Sequence, residues 1–252
     1  MESQKTIRFA AVGDLHCKKQ SAGSLRPFFE QAAEAADVLL LCGDLTDYGT
    51  EEEAHVLADE LGAARMPAIA VLGNHDFESG QQDKVVAILA DAGVRVLDGD
   101  AVEMHGVGIA GVKGFAGGYN RSALGPWGEP VIKQFVNEAI QEALKLETAL
   151  AKLRTERRIA MLHYSPIRAT VEGEPPEIFA FLGTSRLEDP LLHYPVDAVV
   201  HGHAHRGTPE GRTTNGIPVY NVAKPLLART WPEQPPFRII ELPRRSGTAS
   251  EP

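Results

Sequence analysis

The sequence predicts an α/β fold, and three observations support this class. Short apolar runs alternate with amphipathic helical patterns, so that the N-terminal part of the chain contains three successive strand–loop–helix units. These runs end at a glycine, which is typical of a buried strand that stops at a turn. The run 38–42 is apolar throughout, as expected for a strand that is covered on both faces.

The three units can be justified in order. Their strands are predicted at 7–12, 38–42 and 68–72. The first helix is expected to have Ser24 as its N-cap, and the second to begin with a capping box of Thr50 and Glu53. The third helix is expected to be capped by Ser79 and to end at Gly93.

The second half of the chain departs from this regular alternation. Further strands are predicted at 107–112, 158–162, 197–200, 217–222 and 237–242. A long helix is predicted at about 130–155, and its apolar residues follow a heptad pattern: Ile132, Val136, Ala139, Ala143, Leu146, Leu150 and Leu153. Two interpretations of this pattern stay open, namely a helix packed across the globule and the seam of a homodimer.

The length and composition set limits on domain organisation. The chain has 252 residues, of which 43% are hydrophobic, enough to form one large core. We predict a single domain over 1–242, with an inserted loop and long helix at about 113–157. The last residues, 243–252, are expected to form a flexible tail.

Charge and cysteine content exclude several classes of protein. The net charge is −9 and the isoelectric point is about 5.5, so extended nucleic acid is not an expected partner. The 2 cysteines imply no disulfide framework. The N-terminus is polar and no apolar run approaches the length of a membrane span, so a cytoplasmic protein without membrane contact is expected.

Side chains that commonly bind metals follow five of the predicted strands: Asp14, His16, Asp44, Asn74, His163, His203 and His205. In α/β folds, ligands bind beyond the carboxyl ends of the strands. Oxygen and imidazole donors without thiolates suit Mn, Fe, Zn or Ni. Seven donors exceed the needs of one tetrahedral ion, and they fit two divalent ions that share a carboxylate and act together on a phosphorus centre.

These residues lie in five motifs that resemble, in order, those of the calcineurin-like metallophosphoesterase family: Asp14-x-His16, Gly43-Asp44-x-x-Asp47, Gly73-Asn74-His75-Asp76, His163 and Gly202-His203-x-His205. The resemblance spans Asp14 to His205 but leaves out 113–157. It implies a β-sandwich flanked by helices on both faces, a four-layer αββα arrangement. It also implies a dinuclear metal-dependent phosphoesterase, which attacks phosphodiesters or phosphomonoesters with metal-bound hydroxide.

The resemblance implies a role for each matched residue. It divides the ligands between the two ions, with Asp14, His16 and His205 for the first and Asn74, His163 and His203 for the second. Asp44 would bridge the ions. His75 would protonate the leaving oxygen or stabilise its charge, and Asp47 would orient that imidazole and keep it protonated.

Two departures from the family pattern bear on the substrate. Protein phosphatases of the family have Arg-Gly where this chain has Tyr48-Gly49, and Glu where it has Asp76. The pattern is closer to that of small bacterial phosphodiesterases, including those that act on cyclic nucleotides. A small phosphoester is therefore the expected substrate. A non-catalytic metal-binding scaffold of the same fold and a nuclease are the alternatives.

The glycine-rich segment 114–128 offers candidate substrate contacts. Its glycines permit close backbone approach to a ligand. Tyr119, Arg121 and Trp127 supply polar and stacking groups, and they are predicted to form a wall of the site suited to a nucleotide-like or other planar leaving group. A surface loop that ties down the long helix is an equal alternative.

Overall fold

The computed structural model describes residues 6–243. Its strands are β1 Thr6–Val12, β2 Val38–Cys42, β3 Ala68–Val71, β4 Val94–Val96, β5 Asp100–Met104, β6 Val107–Gly111, β7 Arg157–Met161, β8 Ala198–His201, β9 Glu210–Arg212, β10 Pro218–Asn221 and β11 Arg238–Pro243. Its α-helices are α1 Arg26–Ala35, α2 Glu51–Leu61, α3 Gln82–Asp91, α4 Pro130–Lys152, α5 Phe179–Leu182, α6 Glu188–His193 and α7 Lys224–Thr230. The predicted tail lies outside the described residues, except for Pro243.

The strands form two mixed sheets that pack face to face. One sheet has the order β11-β1-β2-β3-β4, and the other has the order β5-β6-β7-β8-β10-β9. The central pairs are parallel, for example β1 with β2 and β7 with β8. Antiparallel strands occupy edges, where β11 pairs with β1 and β5 pairs with β6. The carboxyl ends of β1, β2, β3, β7 and β8 carry the loops that matter for function.

Alternation along the strands divides the core into three apolar layers. In β1, Phe9 points between the sheets, where it meets residues of the second sheet such as Ile159. Its neighbour Ala10 points the other way, into a layer shared with α1, α2 and α3. Helix α4 covers the outer face of the second sheet through residues such as Leu146 and Leu150. The predicted four-layer αββα arrangement is therefore confirmed.

The long helix packs within the chain. Five of the predicted heptad residues are buried against the second sheet or its loops: Val136, Ala139, Leu146, Leu150 and Leu153. Packing across the globule accounts for the heptad pattern, which favours the first of the two interpretations. Within residues 6–243, no helix is both long and apolar enough to cross a lipid bilayer.

Two predicted helix caps are wrong. The capping box of Thr50 and Glu53 is present, but α1 begins after Leu25 and α3 after Gln81. Ser24 instead donates its hydroxyl hydrogen to the Ser21 carbonyl, at 2.6 Å. Ser79 donates to the carbonyl of Gly49, also at 2.6 Å. Neither serine therefore caps its predicted helix.

A buried carboxylate performs the capping task for α1. Glu60 of α2 accepts hydrogen bonds from the backbone N–H groups of Gly23, Leu25 and Arg26, at 2.6, 2.8 and 2.8 Å. Its side chain is buried. One charged group thereby satisfies donors that a helix start leaves unpaired, and it ties α1 to α2.

Replacing Glu60 with alanine is expected to destabilise the protein. The substitution leaves three backbone donors without an acceptor, which should lower the free energy of unfolding by at least about 1–3 kcal/mol. Urea denaturation would measure the change. Glu52→Ala on the same helix is the control, because Glu52 is exposed and its ion pair with Lys19 spans 3.6 Å. It should change stability by no more than about 0.5 kcal/mol.

Candidate metal centre

The structure brings the seven predicted ligands to one rim of the two sheets. Asp14 and His16 follow β1, Asp44 follows β2 and Asn74 follows β3 in the first sheet. His163 follows β7, and His203 and His205 follow β8 in the second sheet. The carboxyl ends of parallel strands meet at the same edge, which explains why residues far apart in sequence converge here.

The first group contains Asp14, His16, Asp44 and His205, whose donor atoms lie within 4.8 Å of one another. Nε2 of His205 is 2.9 Å from Oδ1 of Asp14 and 3.4 Å from Nε2 of His16. Nε2 of His16 is 3.9 Å from Oδ2 of Asp44. These atoms face a common point, as donors around one cation would.

The second group contains Asp44, His163 and His203, again within 4.8 Å. Nε2 of His163 is 3.3 Å from Oδ1 of Asp44 and 3.0 Å from the amide oxygen of Asn74. Asp44 therefore turns one oxygen toward each group. This is the placement that a carboxylate shared by two ions requires.

The backbone is strained at four of these residues. Asp14, His16, Asp44 and His203 have positive φ angles of 57°, 45°, 48° and 71°. The left-handed region costs a residue with a side chain of order 1–3 kcal/mol, and such strain persists only where the surroundings enforce it. Its concentration at the rim indicates that the chain holds these side chains in place for a function.

The imidazoles are held in the form that binds metals. Nδ1 of His163 lies 2.9 Å from the carbonyl of Cys42, so Nδ1 carries the hydrogen. Nε2 then carries no hydrogen and has a lone pair with which to bind a cation. Burial lowers the pKa of His163 well below its ordinary value and lowers the pKa of His203 to about 3. Both side chains are therefore neutral at physiological pH, the form in which an imidazole binds a metal.

The carboxylates show the opposite effect. Burial raises the pKa of Asp14 to about 6, although the hydrogen bond from His205 favours the charged form. Burial also raises the pKa of Asp76 to about 6, with the nearby charge of Asp44 contributing. Clustered buried carboxylates are unfavourable unless positive charge lies among them.

The donor set fits divalent cations. Carboxylate, imidazole and amide oxygen donors suit Mn, Fe, Zn or Ni, and no thiolate takes part. Cys17 and Cys42 are buried free thiols. Burial raises the pKa of Cys17 to about 12 and that of Cys42 well above its usual value. The close approach of the His16 and His205 nitrogens also needs a proton or a cation between them.

Asp76, to which the sequence analysis gave no role, holds the ligand loops together. Its buried carboxylate accepts hydrogen bonds from the N–H of Gly73 at 2.8 Å and from the N–H and hydroxyl of Thr46 at 2.8 and 2.6 Å. The N–H of Leu45 also points to it at 3.2 Å. Asp76 thereby links the loop that carries Asp44 to the loop that carries Asn74.

The expected contact between Asp47 and His75 takes a different form. Nδ1 of His75 lies 2.7 Å from the backbone carbonyl of Asp47, not from its carboxylate. The carboxylate lies 3.4 Å from Nδ1 of His16 and 3.3 Å from Nζ of Lys18. The Asp47 carboxylate and ring nitrogens of His16 and His75 lie within 4.8 Å of one another, whereas the Asp47 carbonyl accepts the hydrogen bond from His75.

The predicted substrate residues lie apart from the cavity that adjoins the rim. Tyr119 is buried beside Leu182 and Ala204, Arg121 is exposed, and Trp127 is 68% exposed. The cavity next to Asn74 is lined by other residues: Phe77, Lys113, Phe115, Val131, Gln134, Phe135, Glu138 and Tyr164. Sequence order gave a partial signal for these, since Tyr164 directly follows His163 and Phe77 lies two residues after His75.

Comparisons with known proteins agree with this geometry. A family model described as calcineurin-like phosphoesterase matches residues 7–207. The chain is similar in structure to a phosphopantetheinyl hydrolase from Mycobacterium tuberculosis, with 17% identity, a TM-score of 0.66 and coverage of 99% of this chain and 100% of that one. A putative 5'-nucleotidase from Staphylococcus aureus has 17% identity and a TM-score of 0.52, with 86% of this chain and 48% of that one covered. No curated protein gave a significant match.

Asp76→Ala is expected to weaken both the fold and the metal centre. The loss of the carboxylate should destabilise the metal-free protein by about 1–3 kcal/mol for each buried donor left unpaired. Affinity for Mn²⁺ should also fall, because the loops that carry Asp44 and Asn74 are no longer joined. Urea unfolding and calorimetric Mn²⁺ titration measure the two effects. Asp91→Ala, an exposed change at the end of α3, is the control, and unchanged Mn²⁺ affinity in Asp76→Ala would contradict the role given to Asp76.

Proposed function

Because the chain belongs to the calcineurin-like phosphoesterase family and is a phosphoric ester hydrolase, we propose that it hydrolyses small phosphomonoesters or phosphodiesters at a centre of two divalent metal ions. The position of Asp44 is the observation that carries this proposal. One of its oxygens lies 3.3 Å from Nε2 of His163 and the other lies 3.9 Å from Nε2 of His16. A carboxylate between two donor groups suits a two-ion centre.

The strand ends place the proposed ligands in two groups, one for each ion. The proposed ligands of the first ion are Asp14, His16 and His205, those of the second are Asn74, His163 and His203, and Asp44 is shared. Bound divalent ions of this kind supply Lewis acidity toward the phosphoryl oxygens and toward the attacking water. The chemistry of these donors suits Mn, Fe, Zn or Ni.

His75 is the proposed proton donor. Its Nδ1 hydrogen bonds to the Asp47 carbonyl, which directs Nε2 to within 4.0 Å of Oδ2 of Asp44. The side chain is 40% exposed, so it faces the space that an ester would occupy. A protonated Nε2 can donate its hydrogen to the leaving oxygen as the P–O bond breaks.

The backbone also fixes the orientation of His75. Its N–H donates to Oδ1 of Asp44 at 2.9 Å. The proton donor and the shared ligand are therefore held in one fixed geometry. The Asp47 carboxylate acts on the first group instead, between His16 and Lys18. Asp47 serves both parts of the centre, through its carbonyl and its side chain.

A small substrate is favoured over extended nucleic acid. The net charge of −9 gives the surface no excess of basic residues with which to bind a phosphate backbone. The imidazole of His75, which is 40% exposed, is open to solvent at the rim. An ester with one compact leaving group suits this arrangement.

Asp44→Asn is expected to lower the metal content. The substitution removes the charge shared by both groups, so a protein that binds two Mn²⁺ ions per chain should retain one or none. Inductively coupled plasma mass spectrometry after Mn²⁺ loading and desalting measures the content. Asp59→Asn, a carboxylate of α2 outside the rim, is the control. A wild-type protein that never holds more than one ion would contradict the two-ion centre.

His75→Ala is expected to keep both ions and lose activity. The loss of general acid catalysis should lower kcat by about 10²–10⁴-fold for an alkyl phosphate. The loss should be smaller for p-nitrophenyl phosphate, whose leaving group needs little protonation. Kinetics with both substrates and metal analysis of the same samples test this expectation. His55→Ala, which removes an exposed histidine of α2, should leave both rates unchanged.

Equal losses for good and poor leaving groups would assign His75 another role, such as stabilising charge on the phosphoryl group. Loss of metal from His75→Ala would place the residue among the ligands instead. Either result would change the role of His75 while leaving the two-ion centre to be judged by the Asp44 experiment.

A further inference from the structure

A cavity of about 570 Å³ lies beside the second ligand group. Asn74 forms part of its wall, and the first turns of α4 form the opposite side. Its size falls within the roughly 300–1,000 Å³ that is typical of small-molecule sites. A ligand in this cavity would therefore extend away from the metal centre toward α4.

Aromatic rings connect the cavity to the rim. The rings of Phe115 and Phe135 are 5.0 Å apart, and those of Phe115 and Tyr164 are 5.9 Å apart. The centroid of the Tyr164 ring in turn lies 4.5 Å from the centroid of the His203 ring. These spacings are those of interacting aromatic pairs. The cavity is therefore lined by a row of aromatic rings that leads to His203, a proposed metal ligand.

Two apolar side chains at the cavity are exposed to water. Phe77 is 40% exposed and Val131 is 67% exposed. Phe77 lies just after His75 on the chain, and Val131 lies in the first turn of α4. A ligand between them would remove apolar surface from water on both sides, which favours an apolar group.

Lys113 adds a cation to these aromatic walls. Its ammonium lies 5.5, 5.0 and 5.3 Å from the ring centres of Phe77, Phe115 and Tyr164. Among residues 6–243, its hydrogen-bond acceptor is the carbonyl of Gly114, at 2.8 Å. Another aromatic face beside this ammonium would gain the same attraction. An electron-rich ring is thus the group that the wall accommodates best.

Backbone hydrogen bonds fix the Lys113 side of the cavity both to the candidate metal centre and to helix α4. The Lys113 carbonyl accepts hydrogen bonds from the N–H groups of His163 and Tyr164, at 3.0 and 3.1 Å. The N–H of Gly114 donates to the buried carboxylate of Glu142 in α4, at 2.7 Å. Because these hydrogen bonds hold the wall in place, binding would need little rearrangement of it.

We infer that this cavity binds the leaving group of the substrate and that this group is a planar aromatic ring system. The inference rests on the proposed function, since it places the phosphoryl group at the metal centre and the ring between Asn74 and α4. Phe115, Phe135 and Val131 would then determine specificity. They would contact the ring, while the metal ligands would act on the phosphoryl group and His75 on the leaving oxygen.

Two phosphonates, which cannot be hydrolysed at the P–C bond, test the cavity by isothermal titration calorimetry with Mn²⁺-loaded full-length protein. Methylphosphonate occupies only the metal centre, whereas 1-naphthylphosphonate also carries a planar ring. The wild-type protein should bind the naphthyl compound about 10- to 100-fold more tightly, because ring burial removes apolar area from water. Equal affinities would overturn the inference.

Phe135→Ala should reduce that preference to about threefold or less, with methylphosphonate affinity unchanged. Val131→Glu should do the same, and it keeps the helix start intact because an acidic residue is favourable in the first turn. Leu144→Ala is the matched control, since Leu144 is exposed on the same helix and lines a different cavity. A preference that survives both cavity variants, or that Leu144→Ala abolishes equally, would overturn the inference.

The same samples separate this inference from the proposed function. Hydrolysis of p-nitrophenyl phosphate with equal binding of the two phosphonates would leave the function standing and remove the cavity from it. Phe135-dependent binding of the naphthyl compound without hydrolysis of any ester would retain the cavity as a binding site for aromatic phosphonates and remove the proposed function.

Discussion

The buried carboxylate of Asp76 is the interaction on which the arrangement of the rim depends. It accepts hydrogen bonds from Thr46 and Gly73, which belong to the loops after β2 and β3. The N–H of His75 meanwhile donates to Asp44, so the same two loops are joined a second time. A Cβ at Gly73 would collide with the backbone and carboxylate of Asp44, which explains why glycine ends β3. The loops approach so closely that charge and backbone hydrogen bonds, not side-chain packing, define their positions.

That close approach has an electrostatic consequence. Asp14, Asp44 and Asp76 are all buried at one rim, and burial raises the pKa of Asp14 and of Asp76 to about 6. Two divalent cations among the proposed ligands would offset the repulsion between these carboxylates. The strained φ angles at Asp14 and Asp44 point in the same direction, because strain of order 1–3 kcal/mol per residue is retained where a function requires the geometry. Fold stability and metal binding are therefore coupled at this rim.

The clustering of the candidate ligands could be predicted from the sequence because each residue follows its strand within a few positions. A strand end fixes the start of its loop, and parallel strands bring their ends to the same edge. The caps of α1 and α3 could not be predicted in this way. Glu60, more than thirty residues from the helix start, supplies the acceptors for α1 at 2.8 Å. Strands β4, β5 and β9 were missed as well. Three residues are too few to show a clear alternation in β4 and β9, and the edge strand β5 buries none of its five residues fully.

The cavity lay beyond sequence reasoning for a related reason. Its walls come from the loop after β3, the segment after β6, the start of α4 and the residue after His163, and only the packed fold joins them. The prediction of a substrate wall in 114–128 selected Tyr119 and Trp127 by their chemistry, yet one is buried and the other points to water. Lys113 and Phe115, at the start of that segment, are the residues that reach the cavity.

The rim of candidate metal ligands and the cavity belong to different layers of the four-layer fold. The two sheets supply the candidate metal ligands, since their strand ends meet at the rim. Helix α4 belongs to an outer layer, and its buried Glu142 is what brings it to the loop that carries Lys113. Changes on the exposed side of α4 can alter the cavity through Val131 or Gln134 without displacing any proposed metal ligand. Under the proposed function, the phosphoryl chemistry and the choice of leaving group would therefore be set in different layers of the same fold, joined through the backbone hydrogen bond between His163 and Lys113.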